Sequence, residues 1–260
     1  AISDLPLLDR WMLQRTATVL DQISEAFERY EFFRFFQLLQ NFCVADLSNF
    51  YLDIAKDRLY VSAPADKRRR SCQTVMALII ERLAAAIAPV LCHMAEDIWQ
   101  NIPYPTGTES VFLSGWPSVP EEWRDDSLQA PMRELRELRG AVNKVLEECR
   151  SKRKLGASLE AAVRIEARTS TLQDALQWLQ SKGDQEVDGL RDWLIVSQLQ
   201  IGGEPWAELL ASDDNELAVI EVALSRGEKC ERCWHYENDI GQHSDHPSLC
   251  GRCISVLERR

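Results

Sequence analysis

Two Cys-x₂-Cys pairs near the end of the chain constrain its fold more than any other feature. The first pair is Cys230 and Cys233, the second is Cys250 and Cys253, and residues 234–249 separate them. A hairpin of that length can bring the pairs together, and four thiolates then complete a tetrahedral Zn²⁺ site at about 2.3 Å per Zn–S bond. Because no position stays open to water, the spacing predicts one structural zinc ion and no catalytic metal. Two disulfides between the pairs are the alternative interpretation.

The remaining cysteines indicate the redox environment. They stand singly in apparent helices, at Cys43, Cys72, Cys92 and Cys149. Unpaired cysteines beside a metal-type quartet are typical of a reducing compartment, so a cytoplasmic location is expected. The longest apolar stretch, over residues 75–94, is interrupted by Glu81, Arg82 and Pro89. This pattern argues against a membrane span, which needs about 20 apolar residues.

The charge is acidic overall but unevenly distributed. The chain has 30 lysine and arginine residues against 41 acidic residues, and its net charge is −11. This balance argues against nucleic-acid binding, because phosphate contacts need a basic surface. A local basic cluster can nevertheless bind phosphate in an acidic protein. Two clusters occur, at residues 67–70 and 150–154, with Lys56 and Arg58 just upstream of the first.

Apolar residues with a helical period dominate residues 1–154. The pattern predicts helices over about residues 7–30, 32–60 and 68–99, the last of them kinked at Pro89. A further helix with one basic face, which includes Arg139, covers about residues 135–154, and Gly156 is expected to stop it. Five of the eight phenylalanines fall between Phe32 and Phe42, which predicts an aromatic core.

The pattern changes after residue 154. Alternating residues predict a strand over 161–167, followed by a short helix over 171–180 and strands over 192–201 and 217–224. We therefore expect a mainly α fold in three parts. An antiparallel helical bundle (1–154) is followed by a small α+β junction domain (155–225) and a C-terminal zinc-binding domain with a four-cysteine knuckle (226–260).

Several stretches resemble a known family. FYLDIAKDRLY at 50–60, RRSCQT at 69–74 and Ala88-Pro89 followed by AEDIW at 95–99 resemble the helical anticodon-binding domain of class I aminoacyl-tRNA synthetases. VLEE at 145–148, KLGASLEA at 154–161 and GEKCERCWH at 227–235 are similar to the C-terminal part of bacterial-type isoleucyl-tRNA synthetases. The bundle motifs are shared with the valine and leucine enzymes, so the four-cysteine knuckle favours the isoleucine branch.

This resemblance implies a tRNA-binding portion of a larger ligase. Enzymes of the family attach isoleucine to its tRNA using ATP and Mg²⁺, through motifs of the His-Ile-Gly-His and Lys-Met-Ser-Lys-Ser types. Neither motif occurs here, so the chain is expected to be inactive alone. The implied partners are isoleucine tRNA and the catalytic and editing domains of a parent chain. A monomer without membrane contact is expected.

Recognition of an RNA loop needs cations for phosphate and flat side chains for unstacked bases. Stacking of a base on an aromatic ring is worth roughly 1–3 kcal/mol. Packing over the metal hairpin is the alternative role for the tryptophan among the candidates. The candidate RNA-binding residues are Lys56, Arg58, Arg68, Arg69, Arg70, Arg150, Lys152, Arg153, Lys154, Arg232, Trp234, His235 and Arg252.

Two other functions fit parts of the sequence. The pattern Cys-x₂-Cys-x₁₆-Cys-x₂-Cys also occurs at the C-terminus of formamidopyrimidine-DNA glycosylases, where a zinc hairpin enters the minor groove. A DNA-binding zinc finger of that type is one alternative. The other is a zinc-stabilised protein-interaction module, which the acidic balance favours. With four thiolates available, His235, His243 and His246 are not needed as zinc ligands.

Overall fold

The computed structural model describes residues 2–182 and 189–258. The contacts within the chain form two groups. Unit 1 comprises Ala1–Ala55 and Lys67–Asp126, and unit 2 comprises Lys56–Asp66 and Ser127–Arg260. The domain boundaries expected from the sequence, at 1–154, 155–225 and 226–260, stay a prediction.

The helices of unit 1 follow one another closely along the chain. Helix α1 covers Leu7–Glu28 and α2 covers Phe32–Asn41. A π-helical segment, Phe42–Leu52, then leads without a break into α3, Asp53–Val61, whose residues from Lys56 onward belong to unit 2. Helix α4 covers Lys67–Ile87 and α5 covers Cys92–Gln100.

The kink expected at Pro89 is instead a break between α4 and α5. Proline has no backbone N–H and disfavours helical backbone in the residue before it. Val90 and Leu91 donate their N–H groups back to the carbonyl of Ile87, at 3.0 and 2.8 Å, and so close the turn. The sequence expectation of one continuous helix over 68–99 is therefore wrong.

Only part of the aromatic stripe forms the core of unit 1. Phe35, Phe42 and Phe50 are buried, and Phe50 packs edge-on against Trp11 with ring centres 5.2 Å apart. The remaining members of the stripe point outward, with Phe32, Phe33 and Phe36 exposed by 50, 74 and 55%. The aromatic stripe that was expected to form the core is therefore only partly buried, because phenylalanines at neighbouring positions of one helix occupy different faces.

Unit 2 combines helices with a four-stranded mixed sheet. Helix α6, Gln129–Ser151, packs on α7, Ser170–Ser181, and against the sheet. The strands are β1 (Ala161–Ala167), β2 (Gln198–Ile201), β3 (Ala211–Asp214) and β4 (Ala218–Leu224), in the order β2-β1-β4-β3. Strand β1 is parallel to β2 and antiparallel to β4, while β3 is antiparallel to β4.

Two differences from the sequence expectation concern this sheet. The strand expected over 192–201 begins as a short helix, α8 (Leu190–Leu194), and only its end forms β2. Strand β3 was not expected, because its sequence Ala-Ser-Asp-Asp has little intrinsic strand preference. The strand forms because residues 211–214 pair with β4, and the composition of these four residues does not indicate that pairing.

The end of α6 is closed by an arginine rather than a glycine. Arg153 adopts a left-handed conformation with φ of 55°. Lys154 N–H donates to Cys149 O at 2.9 Å and Arg153 N–H donates to Arg150 O at 2.9 Å. These are the two hydrogen bonds of a Schellman motif. The expectation that Gly156 stops the helix is therefore wrong, because the chain has already turned three residues earlier.

The C-terminal knuckle begins with a short hairpin and ends with a helix. Strand β5, Glu228–Lys229, pairs with β6, Tyr236–Glu237, and α9 covers Gly251–Glu258. Gly227, with φ of 90°, precedes the hairpin, and a Cβ there would lie 2.4 Å from the carbonyl oxygen of Glu237. Only glycine fits at this turn.

The expected fold class is confirmed: the chain is mainly α, with a small α+β unit and four cysteines clustered near its end. Among the residues that the structure describes, no helix is long and apolar enough to cross a membrane.

Candidate metal centre and RNA-binding residues

The four cysteines of the knuckle converge on one point. Their Sγ atoms all lie within 4.8 Å of one another, and all four residues are buried. The Sγ atoms of Cys233 and Cys250 are 3.7 Å apart. A tetrahedral zinc site with Zn–S bonds of about 2.3 Å has sulfur–sulfur edges of about 3.8 Å. The thiols therefore fit a metal, whereas a disulfide would need about 2.05 Å between sulfur atoms.

Backbone hydrogen bonds fix the two Cys-x₂-Cys turns. The N–H of Trp234 donates to Cys230 O at 2.9 Å and closes the first turn. The N–H of Cys250 donates to Cys230 Sγ at 3.4 Å, which joins the two pairs. Asp239 Oδ2 accepts the N–H of Gly251 at 2.7 Å and caps α9, the helix that carries Cys253.

Hydrogen bonds among three of the thiols shift their pKa values in opposite directions. Hydrogen bonds with Cys250 and Cys253 hold the pKa of the Cys233 thiol far below its ordinary value. The bond with Cys233 raises the pKa of the Cys250 thiol, and raises the pKa of Cys253 to about 11. The hydrogen bonds therefore favour the thiolate at Cys233 and the thiol at Cys250 and Cys253, and a divalent cation that binds all three must displace the protons that remain.

Two of the candidate RNA contacts are used inside unit 2 instead. Arg252 forms two hydrogen bonds with the carboxylate of Asp57, at 2.8 and 2.9 Å. Arg232 donates from Nη2 to Val61 O at 2.7 Å, and its Nη1 lies 3.6 Å from Cys253 Sγ. We therefore withdraw both arginines from the proposed RNA contacts, because their donors bind protein acceptors and both side chains are partly buried.

Burial removes two further candidates. Arg58 is 0% exposed and His235 is 4% exposed, so neither side chain reaches the surface. Burial lowers the pKa of the His235 imidazole, and the nearby charges of Arg252 and Arg191 lower it further. The ring is therefore neutral at pH 7. The sequence placed both residues on the RNA-binding face because it does not show which side of α3 or of the knuckle is covered.

Trp234 lies on the surface of the knuckle. Its side chain is 61% exposed, and Lys229 Nζ is 5.4 Å from the centre of its ring. The backbone of Trp234 is left-handed, with φ of 66°. This conformation is uncommon for a bulky residue and costs of order 1–3 kcal/mol. The exposed ring argues against the alternative in which it packs over the metal.

The basic end of α6 is also exposed. It consists of Arg150, Lys152, Arg153 and Lys154, all on the surface. Within the helix, Arg150 pairs with Glu147 and Lys152 pairs with Glu148. Lys154 Nζ donates to Leu210 O in the loop before β3.

The remaining basic candidates differ in exposure. Lys56 on α3 and Arg70 on α4 are exposed, while Arg68 and Arg69 are partly buried. Arg139, which the sequence placed on the basic face of α6, is buried and donates from Nε to Trp193 O at 2.7 Å. The burial of Arg139 is a correction to the sequence expectation.

Sequence reasoning missed three residues of this region. Asp57 is the partner of Arg252, Asp239 caps the metal-bearing helix, and Lys229 lies beside the exposed tryptophan. A signal for Asp57 was present, since it lies in the stretch FYLDIAKDRLY that resembles the synthetase family. Lys229 likewise lies in the stretch GEKCERCWH, whereas nothing in the spacing of Asp239 marks it.

Comparison with known proteins shows the family to which the chain belongs. Residues 9–165 match the model described as the anticodon-binding domain of tRNA ligase, and residues 227–256 match the zinc finger found in FPG and IleRS. The chain therefore belongs to the family of anticodon-binding domains of tRNA ligases. The zinc-finger match and the four convergent thiols agree on one zinc site.

Individual relatives narrow the comparison. The chain is 94% identical over 260 residues to the isoleucine–tRNA ligase of Synechococcus sp. (strain CC9311) and 74% identical over 260 residues to that of Parasynechococcus marenigrum (strain WH8102). It is 73% identical over 259 residues to the isoleucine–tRNA ligase of Prochlorococcus marinus (strain MIT 9313). Each alignment covers 100% of this chain and 27% of the relative, so the chain spans about a quarter of their length.

Proposed function

We propose that the chain is the tRNA-binding part of an isoleucine–tRNA ligase and that it holds the anticodon stem-loop of isoleucine tRNA. The observation that carries this proposal is the exposed cationic end of α6, within a region that matches the anticodon-binding model. The four side chains of Arg150, Lys152, Arg153 and Lys154 form a local positive surface on a chain whose net charge is −11. A duplex-DNA finger is not favoured, because the match over 9–165 is to tRNA ligases.

The ion pairs at this end of α6 do not prevent phosphate binding. Glu147 and Glu148 hold their partners at the surface, where such pairs contribute little because water and salt screen them. A phosphate group can replace a carboxylate as the acceptor, and it releases counterions from the RNA when it does. Arg153 adds a cation held by a left-handed backbone position.

Trp234 supplies the flat surface that base recognition needs. An exposed ring beside Lys229 offers a stacking face next to a positive charge. The metal site fixes this residue in place, since it directly follows Cys233. We keep Trp234, Lys56, Arg70 and the end of α6 as proposed RNA contacts, with Arg68 and Arg69 as partly buried members of the same set.

The proposal extends to the parent protein. There, a catalytic domain outside this chain attaches isoleucine using ATP and Mg²⁺, an editing domain accompanies it, and this chain alone does not activate the amino acid. A reducing cytoplasm suits four thiols that must bind zinc rather than pair as disulfides. We propose a monomer that acts without contact with a membrane.

The test is binding of the zinc-loaded chain to three fluorescent ligands across a salt series. The ligands are isoleucine tRNA, the same tRNA with a changed anticodon, and duplex DNA. We expect tRNA affinity to fall steeply with salt, as counterion release requires. We also expect isoleucine tRNA to bind at least about tenfold more tightly than the other two ligands, which corresponds to about 1.4 kcal/mol.

A variant isolates the contribution of the cationic end of α6. Replacing Lys152 and Lys154 with Gln removes two charges and should reduce the slope of log affinity against log salt by about 1.4–1.8, at 0.7–0.9 per phosphate contact. Replacing Lys182 and Arg226, two exposed cations elsewhere in unit 2, with Gln is the matched control. Equal affinity for all three ligands would refute the recognition of isoleucine tRNA.

A further inference from the structure

We infer that the zinc knuckle positions the C-terminal end of α3, and with it the proposed RNA contact Lys56, through the arginines inside the two Cys-x₂-Cys loops. Both arginines and the end of α3 lie in unit 2. The consequence for tRNA rests on the proposed function, whereas the structural coupling does not depend on it.

The first link is the ion pair between Arg252 and Asp57. Two hydrogen bonds, at 2.8 and 2.9 Å, align the guanidinium with the carboxylate, and the side chains are only 31 and 23% exposed. This paired geometry is the strongest form of charge-assisted hydrogen bond. Because Arg252 stands between Cys250 and Cys253, a metal that holds both sulfurs also fixes the backbone from which the guanidinium extends.

The second link is a cap on α3. The last carbonyls of a helix have no partner within it and carry partial negative charge. Val61 is the last residue of α3, and its carbonyl accepts a hydrogen bond from Arg232 Nη2 at 2.7 Å. The other Nη of the same arginine lies 3.6 Å from Cys253 Sγ. One guanidinium therefore joins a metal-ligating sulfur to the end of a helix.

The third link is apolar packing. Val61 is 8% exposed and shares a buried cluster with the four cysteines. Ile240 and Leu249, both from the loop between the pairs, close over the same cluster. The knuckle thus contacts α3 at three points, namely the side chain of Val61, the carbonyl of Val61 and the carboxylate of Asp57.

The state of the metal site controls all three links. Four metal-bound thiolates carry more negative charge than the metal ion neutralises, and Arg232 and Arg252 offset that excess. Without metal, the two Cys-x₂-Cys turns that carry Arg232 and Arg252 lose their common anchor. The end of α3 then loses its cap and its ion pair, and Lys56, which adjoins Asp57, loses its fixed position.

Amide hydrogen exchange of the 260-residue chain tests the coupling without RNA. We expect peptides from residues 56–66 to exchange about tenfold faster after zinc is removed with a chelator, because the local opening is easier. Asp57→Asn and Arg252→Gln should speed exchange in the same peptides while the chain keeps one zinc ion. The double variant should be no worse than either single variant, because both remove the same contact. Arg252→Lys, which keeps the charge, should restore part of the protection.

Reciprocity gives a second readout. If zinc stabilises the end of α3, the contacts of α3 must stabilise bound zinc equally, so Asp57→Asn should also lower the affinity for zinc in equilibrium competition with a chelator. Arg226→Gln, which replaces an exposed arginine of the same unit, is the control and should change neither the exchange rate nor the zinc affinity. Unchanged exchange at 56–66 in the zinc-free chain would overturn the inference. An equal increase in the exchange rate across residues 127–182 would overturn it too, because it would show that loss of zinc unfolds the unit as a whole instead of releasing the end of α3.

Binding to tRNA separates this inference from the proposed function. If the zinc-loaded wild-type chain does not bind isoleucine tRNA, the proposed function fails, and hydrogen exchange still decides the coupling. If the wild-type chain binds but Asp57→Asn and Arg252→Gln bind equally well, the positioning of Lys56 for RNA fails. We expect both variants to bind about 3- to 10-fold more weakly, which is the effect of losing one to two phosphate contacts at moderate salt.

Discussion

Lys229 Nζ lies 5.4 Å from the centre of the Trp234 ring, on the exposed side of the zinc knuckle. A cation at this distance over an indole is attracted by its electron-rich face. The pair presents a flat apolar surface and a positive charge within one side-chain length. Because Trp234 directly follows Cys233, the metal site determines where both are held.

Replacing Trp234 separates backbone strain from ring function. Trp234→Gly relieves the left-handed conformation, at φ of 66°, and should stabilise the knuckle by up to about 1 kcal/mol. The same variant should weaken tRNA binding by roughly 1–3 kcal/mol, because a stacking surface is lost. Thermal unfolding and tRNA titration measure the two effects. Trp234→Phe is the control that keeps a ring, and unchanged affinity in Trp234→Gly would rule out stacking.

Arg153 offers a second position with opposing effects. Arg153→Gly suits the left-handed position at the end of α6 and should stabilise the chain by about 0.4–1 kcal/mol. Arg153→Ala removes the same charge and side-chain contacts without that backbone benefit. Both variants should lower the salt slope of tRNA binding by about 0.7–0.9. Urea unfolding distinguishes them, and equal stability would show that the backbone conformation of Arg153 carries no strain.

The buried Arg164 should be important for the stability of the four-stranded sheet of unit 2. Its guanidinium, 2% exposed, lies 2.7 Å from Glu166 and 3.2 Å from the buried Glu221, and it donates to Gly203 O at 2.6 Å. Arg164→Met leaves Glu221 buried without its partner, so we expect a loss of about 3–5 kcal/mol in the free energy of unfolding. Arg168→Met, which removes an exposed pair with Asp214, should cost less than about 1 kcal/mol. Similar urea midpoints for the two variants would contradict this account.

Loss of one thiol should affect the knuckle and, through it, the end of α3. In Cys250→Ser, three thiolates remain, so zinc content should fall well below one per chain and residues 227–258 should become sensitive to protease. Cys92→Ser removes an exposed thiol far from the site in sequence and should leave zinc content unchanged. Metal analysis and limited proteolysis of both variants test this prediction. A knuckle that stays resistant without zinc would show that its packing alone suffices.

Zinc affinity should depend on pH in a defined direction. The pKa of the Cys250 thiol is raised, and that of Cys253 is raised to about 11, by hydrogen bonding with Cys233. Both thiols are therefore protonated at pH 7 in the metal-free chain, and zinc must displace those protons. Apparent affinity should fall by about tenfold per pH unit for each displaced proton between pH 8 and pH 6. Competition with a chromophoric chelator measures this slope, and a flat profile would mean that the thiols are already ionised.

The metal site and the fold class were accessible from the sequence for a simple reason. A Cys-x₂-Cys turn is a local structure, so its spacing alone specifies two ligands. Apolar periodicity likewise predicts α1, which the structure places at Leu7–Glu28, because a helix face is set by neighbouring residues. These features depend on residues close together along the chain.

The role of each arginine was not accessible in this way. Arg252 looked like a surface cation beside a zinc ligand, but its partner Asp57 is 195 positions away. Arg139 fits the polar face of α6, and its acceptor, the carbonyl of Trp193, comes from α8. Whether a cation faces solvent or a protein acceptor is decided by packing between distant segments, and periodicity within one helix contains no information about it.

The separation between Asp57 and Arg252 also sets a delay during synthesis of the protein. A ribosome adds about 5–20 residues per second, so roughly 10–40 s pass between the appearance of these two residues. During that interval the end of α3 has neither Arg232 on its last carbonyl nor Arg252 on its carboxylate. The segment at 56–66 therefore completes its structure only when the second Cys-x₂-Cys pair has emerged and zinc has bound, so zinc supply limits the ordering of this segment.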